Sequence, residues 1–128
     1  MLKIRPAIRS DAMLLLEWRN DPLTRKMFKT SDTITWSDHI AWLEKRIAQV
    51  EPHLYVAENE NDIAIGTIRV DDRRLSYTVG PSFRGRGYAT EMLIWARNRF
   101  GVLIAEIRHE NVASIRAAKR AGHEIVLF

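Results

Sequence analysis

The chain contains no cysteine. That removes disulfides, thiolate metal sites and a cysteine nucleophile together. It has no run of about 18 apolar residues, the length a helix needs to cross a bilayer. The opening residues MLKIRPAIRS lack the apolar stretch of a secretory leader. The four histidines, at 39, 53, 109 and 123, show no metal-ligand spacing, so no metal is expected. Internal repeats, low-complexity tracts and linkers are also missing. So are the GxGxxG of a dinucleotide fold and the GxxxxGK[ST] of a P-loop.

What remains is 128 residues, 46% of them hydrophobic. This is enough for one domain over residues 1–128 with a core of its own. A cytoplasmic enzyme or binding module fits. The net charge of +4 favours an anionic partner. The basic residues are spread along the chain, however, and a solvated surface explains the charge equally well.

The pattern predicts a strand over 3–9 and a helix over 10–20 with Ser10 as its cap, stopped by Asp21-Pro22. A second helix starts at Thr35, which forms a capping box with Asp38. Trp36, Ile40, Leu43 and Ile47 share its apolar face. Strands follow over 53–58, 63–70 and 74–79, joined by turns at 60–62 and 71–72. Then come a glycine loop, a helix over 88–100, a strand over 102–108, a helix over 111–121 ended by Gly122, and a last strand over 124–128. A meander that feeds a strand–helix–strand crossover gives a mixed α/β sheet with helices on both faces.

The strongest signal is GPSFRGRG at 80–87, placed between a strand and an amphipathic helix. A helix start presents unpaired N–H groups and the positive end of its dipole. Gly85 and Gly87 remove side chains that would hold a ligand off the backbone. Arg84 and Arg86 add charge. Together these form a nest for phosphate oxygens. Taken alone, RGRG also fits a plain loop or an RNA-binding tail.

Arg84-x-x-Gly87-x-Ala89, within YTVGPSFRGRGYATEML, resembles the acetyl-CoA diphosphate signature of the GNAT acetyltransferase superfamily. Asn111-x-x-Ser114-Ile115 followed by Gly122 is similar to that family's later motif. The element order also matches, so the resemblance covers nearly the whole chain. It implies a mostly antiparallel central sheet with a splayed V between the fourth and fifth strands. The family's final strand is missing here. It implies acetyl-CoA as cosubstrate and direct attack by an amine. Val79 would pair with the pantetheine arm. The amides of Arg84, Gly85, Arg86, Gly87, Tyr88 and Ala89 would hold the diphosphate, with the Thr90 hydroxyl. Asn111 would reach the pantetheine or the sulfur side. Lys119 and Arg120 would lie near the adenosine 3′-phosphate or simply face solvent.

Direct attack needs a general base with a pKa lifted toward neutrality. Glu106 interrupts the apolar run 102–107, where burial would disfavour its charge. It also stands at the spacing from Asn111 used by ribosomal-protein-alanine acetyltransferases. The alternative is a structural salt bridge or a solvent-facing edge position. The family's usual acid, a tyrosine seven residues after the asparagine, is Ala118 here. Tyr77 or water is the candidate substitute, with Ser76 and His109 behind them, unless the Tyr77 ring is simply core.

The stretches around Trp18-Arg19-Asn20 and Trp36 to Trp42 resemble the branch holding ribosomal-protein N-terminal acetyltransferases and the amino-sugar acetyltransferases of pseudaminic-acid-type pathways. This resemblance implies a small amine acceptor, a nucleotide-linked amino sugar, with Trp18, Arg19 and Asn20 contacting it. A protein N-terminus is the alternative acceptor. An acetyl-CoA sensor without turnover and an RNA-binding module rank lower. Few strand aromatics are available to stack bases, so neither nucleic acid nor membrane is expected as a partner. A monomer or a homodimer both fit.

Overall fold

The computed structural model describes residues 1–28, 32–49 and 54–128. Six strands form one sheet in the order β1-β2-β3-β4-β5-β6. They are β1 Lys3–Pro6, β2 Leu54–Glu58, β3 Ala64–Asp71, β4 Arg74–Val79, β5 Ile104–Ile107 and β6 Glu124–Leu127. The helices are α1 Ala12–Asn20, α2 Pro22–Met27, α3 Trp36–Ile47, α4 Tyr88–Phe100 and α5 Val112–Ala121. The expected start of the second strand, His53, lies outside the described residues.

β1 to β4 pair antiparallel, whereas β5 runs parallel to both β4 and β6. The β3–β4 connection is a two-residue turn whose Asp72 and Arg73 both take positive φ, 46° and 67°. That geometry matches the twist of a hairpin. At the β2–β3 turn the Asn59 side chain accepts from the amides of Asn61 and Ile63 at 2.9 and 3.1 Å.

Alternate residues of each strand face opposite sides. On one side Ile68, Val70 and Leu75 pack under Met92, Leu93, Ala117 and Ala118. On the other Val56 and Leu54 pack under Leu15, Trp18 and Leu43. Helices therefore cover both faces, as expected.

Local sequence explains where the structure differs from the pattern. The first strand stops at Pro6, because a proline has no N–H for the ladder. Ser10 caps nothing. Instead the Asp11 carboxylate accepts from the Ile8 amide at 2.8 Å and from both terminal nitrogens, Nη1 and Nη2, of Arg5 at 2.9 Å. Burial pulls the Asp11 pKa up, but Arg5 and the Ile8 amide outweigh it and hold the group below the ordinary carboxylate value. Asp21-Pro22 ends α1 but also starts α2, since Asp21 accepts from the Thr24 amide at 3.2 Å and Pro22 takes the first helical position. Trp36 sits on the first turn of α3, half exposed rather than in the core. His123, to which the sequence assigned no role, is buried. Its Nδ1 accepts from the Leu103 amide at 3.1 Å, so Nε2 carries the proton and donates to the Leu93 carbonyl at 2.8 Å.

Candidate active site

β4 and β5 share only two paired positions, Arg74↔Ile104 and Leu75↔Ala105. β5 meanwhile stays paired with β6 as far as Ile107↔Leu127. Beyond Leu75 the two central strands therefore part. Among the described residues, the β5-facing edge of Ser76 to Val79 has no ladder partner. A cleft of about 700 Å³ occupies this gap. It is the V expected between the fourth and fifth strands.

The glycine loop closes one end of the cleft. Gly85 and Gly87 take φ of +75° and +80°, a left-handed conformation that disfavours any Cβ. A Cβ built at either would meet no atom within 4 Å. The loop is therefore open to a ligand where it turns into α4. That combination of bare backbone, free helix amides and open space fits a diphosphate. Arg84 does not point its guanidinium into this nest. It bonds Asp21 Oδ2 and Thr24 Oγ1, each at 3.0 Å, and ties the loop to α2. Burial pulls the Asp21 pKa up, but Arg84 and Thr24 hold it below the ordinary value.

Val79, Arg84, Gly85, Gly87, Tyr88, Ala89, Thr90 and Asn111 all line the cleft. Arg86 does not; its guanidinium lies over the Phe83 ring. The Asn111 side-chain Oδ1 caps α5 by accepting from the Ser114 amide at 3.3 Å. Lys119 and Arg120 are exposed.

Glu106 and Tyr77 line the same cleft from opposite sides of the sheet plane. Ala105 and Ile107 pack in the core with Tyr77, and Glu106 between them faces the other way. Glu106 does not meet the apolar isolation its sequence neighbours suggest. The pleat turns it toward Arg74, with which it forms an ion pair. The Tyr77 hydroxyl donates to Ser114 Oγ at 2.6 Å. Burial pushes its pKa up, and the Ser114 bond only partly offsets that. Ser114 lies one helical turn before Ala118, so the strand tyrosine reaches α5 close to where the usual tyrosine is lacking.

A second chamber of about 250 Å³ opens between β3, β4, α1 and α3. Arg19, Phe28, Arg69, Ser76, Tyr77 and Thr78 line both spaces. Trp18 forms part of the chamber wall, but it is 6% exposed, and a Cβ on Gly80 would come within 2.9 Å of its ring nitrogen. Asn20 lines neither space. Its amide donates to the Ile34 carbonyl at 3.0 Å and accepts from the Ile34 amide at 2.9 Å.

Three further residues line the chamber: Trp42, which the sequence offered only within the resembling stretch, and His39 and Arg69, to which it gave no role. Trp42 faces the chamber, stacked on His39 at 5.9 Å. His39 is buried with Nε2 donating to the Ala12 carbonyl at 2.8 Å, and burial lowers its pKa. Arg69 projects from β3. A positively charged residue in the middle of a strand that is otherwise largely apolar was the available signal for Arg69.

Residues 1–124 match the family model described as an acetyltransferase (GNAT) domain. The uncharacterized protein MJ1062 of Methanocaldococcus jannaschii is 26% identical over 131 residues, 93% of this chain. The chain spans 27% of the length of that curated relative. Among solved structures, yncA of Salmonella typhimurium with its cofactor acetyl-CoA has a TM-score of 0.75 at 25% identity, over 95% of this chain and 79% of that one. The ribosomal-protein-alanine N-acetyltransferase of Brucella melitensis has a TM-score of 0.74 at 27% identity, over 94% of this chain and 83% of that one.

Proposed function

The chain belongs to the GNAT acetyltransferase family, and from that premise we propose that it transfers an acetyl group from acetyl-CoA to the primary amine of a nucleotide-linked amino sugar. One observation carries the reading. A single cleft joins the left-handed glycine loop, the unpaired edge of β4, Glu106 and Tyr77.

In this reading the amides of residues 84–89 hold the diphosphate, and the free edge of β4 at Val79 fixes the pantetheine by backbone hydrogen bonds. The thioester supplies an activated acetyl group with a good leaving group. Glu106, on the acceptor side of the sheet, takes the proton released as the amine nitrogen bonds the carbonyl carbon. Tyr77, on the far side, donates its hydroxyl proton to the sulfur as the carbon–sulfur bond breaks, and Ser114 holds that hydroxyl in place. Proton return from Glu106 to Tyr77 through solvent restores both groups. The balance is an amide and a free thiol, with no covalent enzyme intermediate, so a cysteine is not needed.

The chamber supports the acceptor assignment. Its aromatic walls suit a sugar or base ring, and its arginines suit a diphosphate. The second reading, a protein N-terminus, draws on the likeness to the Brucella melitensis enzyme. Among the described residues no group of three or more histidine, aspartate or glutamate side chains is placed to hold a metal ion. Turnover of acetyl-CoA with a panel of UDP-amino sugars and short peptides tests the proposal. Activity with the sugars and not the peptides supports it, and the reverse pattern replaces it with the second reading.

A further inference from the structure

Among the described residues, the acceptor chamber is lined by two guanidinium groups that are at most partly offset by carboxylates. Arg19 enters from α1, and among the described residues no carboxylate pairs with it. Its guanidinium lies over the Phe28 ring, 4.5 Å from the centroid. Arg69 enters from β3, 5.9 Å from the Trp42 centroid. Arg69 Nε lies 3.2 Å from Asp71 Oδ2 without an aligned hydrogen bond, and Nη2 reaches Ser76 Oγ only at 3.4 Å. Asp71 also serves Arg46 at 2.5 Å. Asp38, on the first turn of α3, is the one carboxylate among the described residues that line the chamber.

Burial lowers the pKa of both arginines, and each is further lowered by a neighbouring guanidinium: Arg19 by Arg69, and Arg69 by Arg46, with Asp71 opposing. Desolvated like charges raise the energy of the empty chamber. A site that keeps them is preorganised for an anion, since guanidinium–oxyanion bonds strengthen in a dry cleft.

We infer that Arg19 and Arg69 together form an oxyanion seat that selects acceptors carrying a phosphate or carboxylate group at a distance from the amine. Arg69 is thereby a specificity-determining residue. The inference rests on the acetyl-transfer reading but not on the identity of the sugar, and it argues against polycationic amines as acceptors. Arg19 and Arg69 line both the cleft and the chamber, so the seat lies at their junction, beside the thioester's path and not within the glycine loop.

The test uses the whole chain saturated with CoA, so that the diphosphate site is filled. Inorganic phosphate and acetate are titrated separately while tryptophan fluorescence, which includes Trp18 and Trp42, is followed. A saturable change is expected with at least one of them. A response to phosphate means a phosphorylated acceptor, and a response to acetate a carboxylated one. Arg69→Gln and Arg19→Gln should each weaken that binding about tenfold or more, with CoA affinity within about twofold of wild type. Arg19→Gln should melt at or above the wild-type temperature, because it removes a desolvated charge that no carboxylate among the described residues offsets; a structural role would lower it. No saturable response with CoA bound, or wild-type anion affinity in both variants, overturns the inference. Should CoA itself fail to bind, the acetyl-transfer reading falls and the inference falls with it.

Discussion

The site has two halves, the cleft beside β4 and the chamber that adjoins it, and they are built from different materials. The half formed by the glycine loop, α4 and β4 offers main-chain groups: helix amides, two left-handed glycines and an unpaired strand edge. The half formed by α1, α3 and β3 offers side chains drawn from distant parts of the chain, among them Arg19, Phe28, His39, Trp42 and Arg69. Backbone recognition depends on a short local pattern, so one surface can hold one ligand across many sequences. Side-chain recognition depends on which residues the fold gathers, so it can change without disturbing the first half. The expected division of labour is a constant donor site joined to a variable acceptor site.

That comparison can be broken most severely at the chemistry between the halves. Glu106→Gln should lower kcat about 100-fold at neutral pH, the loss expected for a general base, while the Kd for CoA stays within about twofold. Full activity across pH 6–9 would remove Glu106 from the mechanism.

The scaffold before α1, which lines neither space, is next. Asp11→Ala deletes one of the two carboxylates that pair with Arg5 among the described residues, the other being Glu58, and the acceptor of the Ile8 amide. The protein should lose about 2–3 kcal/mol in a denaturant titration. The folded pKa of Asp11 is lowered, so its contribution is present above the unfolded carboxylate value and is lost as pH falls through the lowered one. The variant should therefore show a flatter stability profile at acid pH. An unchanged acid limb would mean that another carboxylate dominates it.

The donor half should respond in affinity rather than stability. Gly87→Ala places a Cβ on a residue with φ of +80°, a penalty of about 1–2 kcal/mol for that conformation. Relief by shifting the loop should weaken CoA about tenfold in calorimetry. Equal affinity would mean that the loop does not need its present shape.

The smallest effect falls on the acid. Tyr77→Phe keeps the ring in the core and removes the hydroxyl, and kcat should fall several-fold at pH 7, roughly 1 kcal/mol of barrier. Because burial raises the Tyr77 pKa, its protonated form persists above the ordinary tyrosine value. The wild-type rate should then show no alkaline loss until beyond about pH 10. An alkaline limb near pH 8 would point to a different donor.

The same division explains what could be read from the chain. The turn into α4 at the glycine loop, the start of α5 at Asn111 and the succession of elements after Thr35 were legible, because each rests on local conformational preference. Helix α2 was hidden, because Asp21-Pro22 is both a terminator and an initiator. Asp11 displaced Ser10 as the cap because Arg5 reaches it from β1, and no local pattern contains that contact. Glu106 looked isolated in an apolar run, but its partner Arg74 lies on another strand. Arg69 and His39 drew no attention for the same reason, since their neighbours in space are far away in sequence.

The central claim is that backbone amides at the start of α4 grip a diphosphate and lay a thioester along the free edge of β4. Isothermal titration of the chain with CoA and with 3′-dephospho-CoA tests it directly. The account predicts saturable one-to-one binding of both, weakened in Gly87→Ala and insensitive to Arg19→Gln. Absence of binding, or binding that survives Gly87→Ala unchanged but is lost in Arg19→Gln, would contradict it.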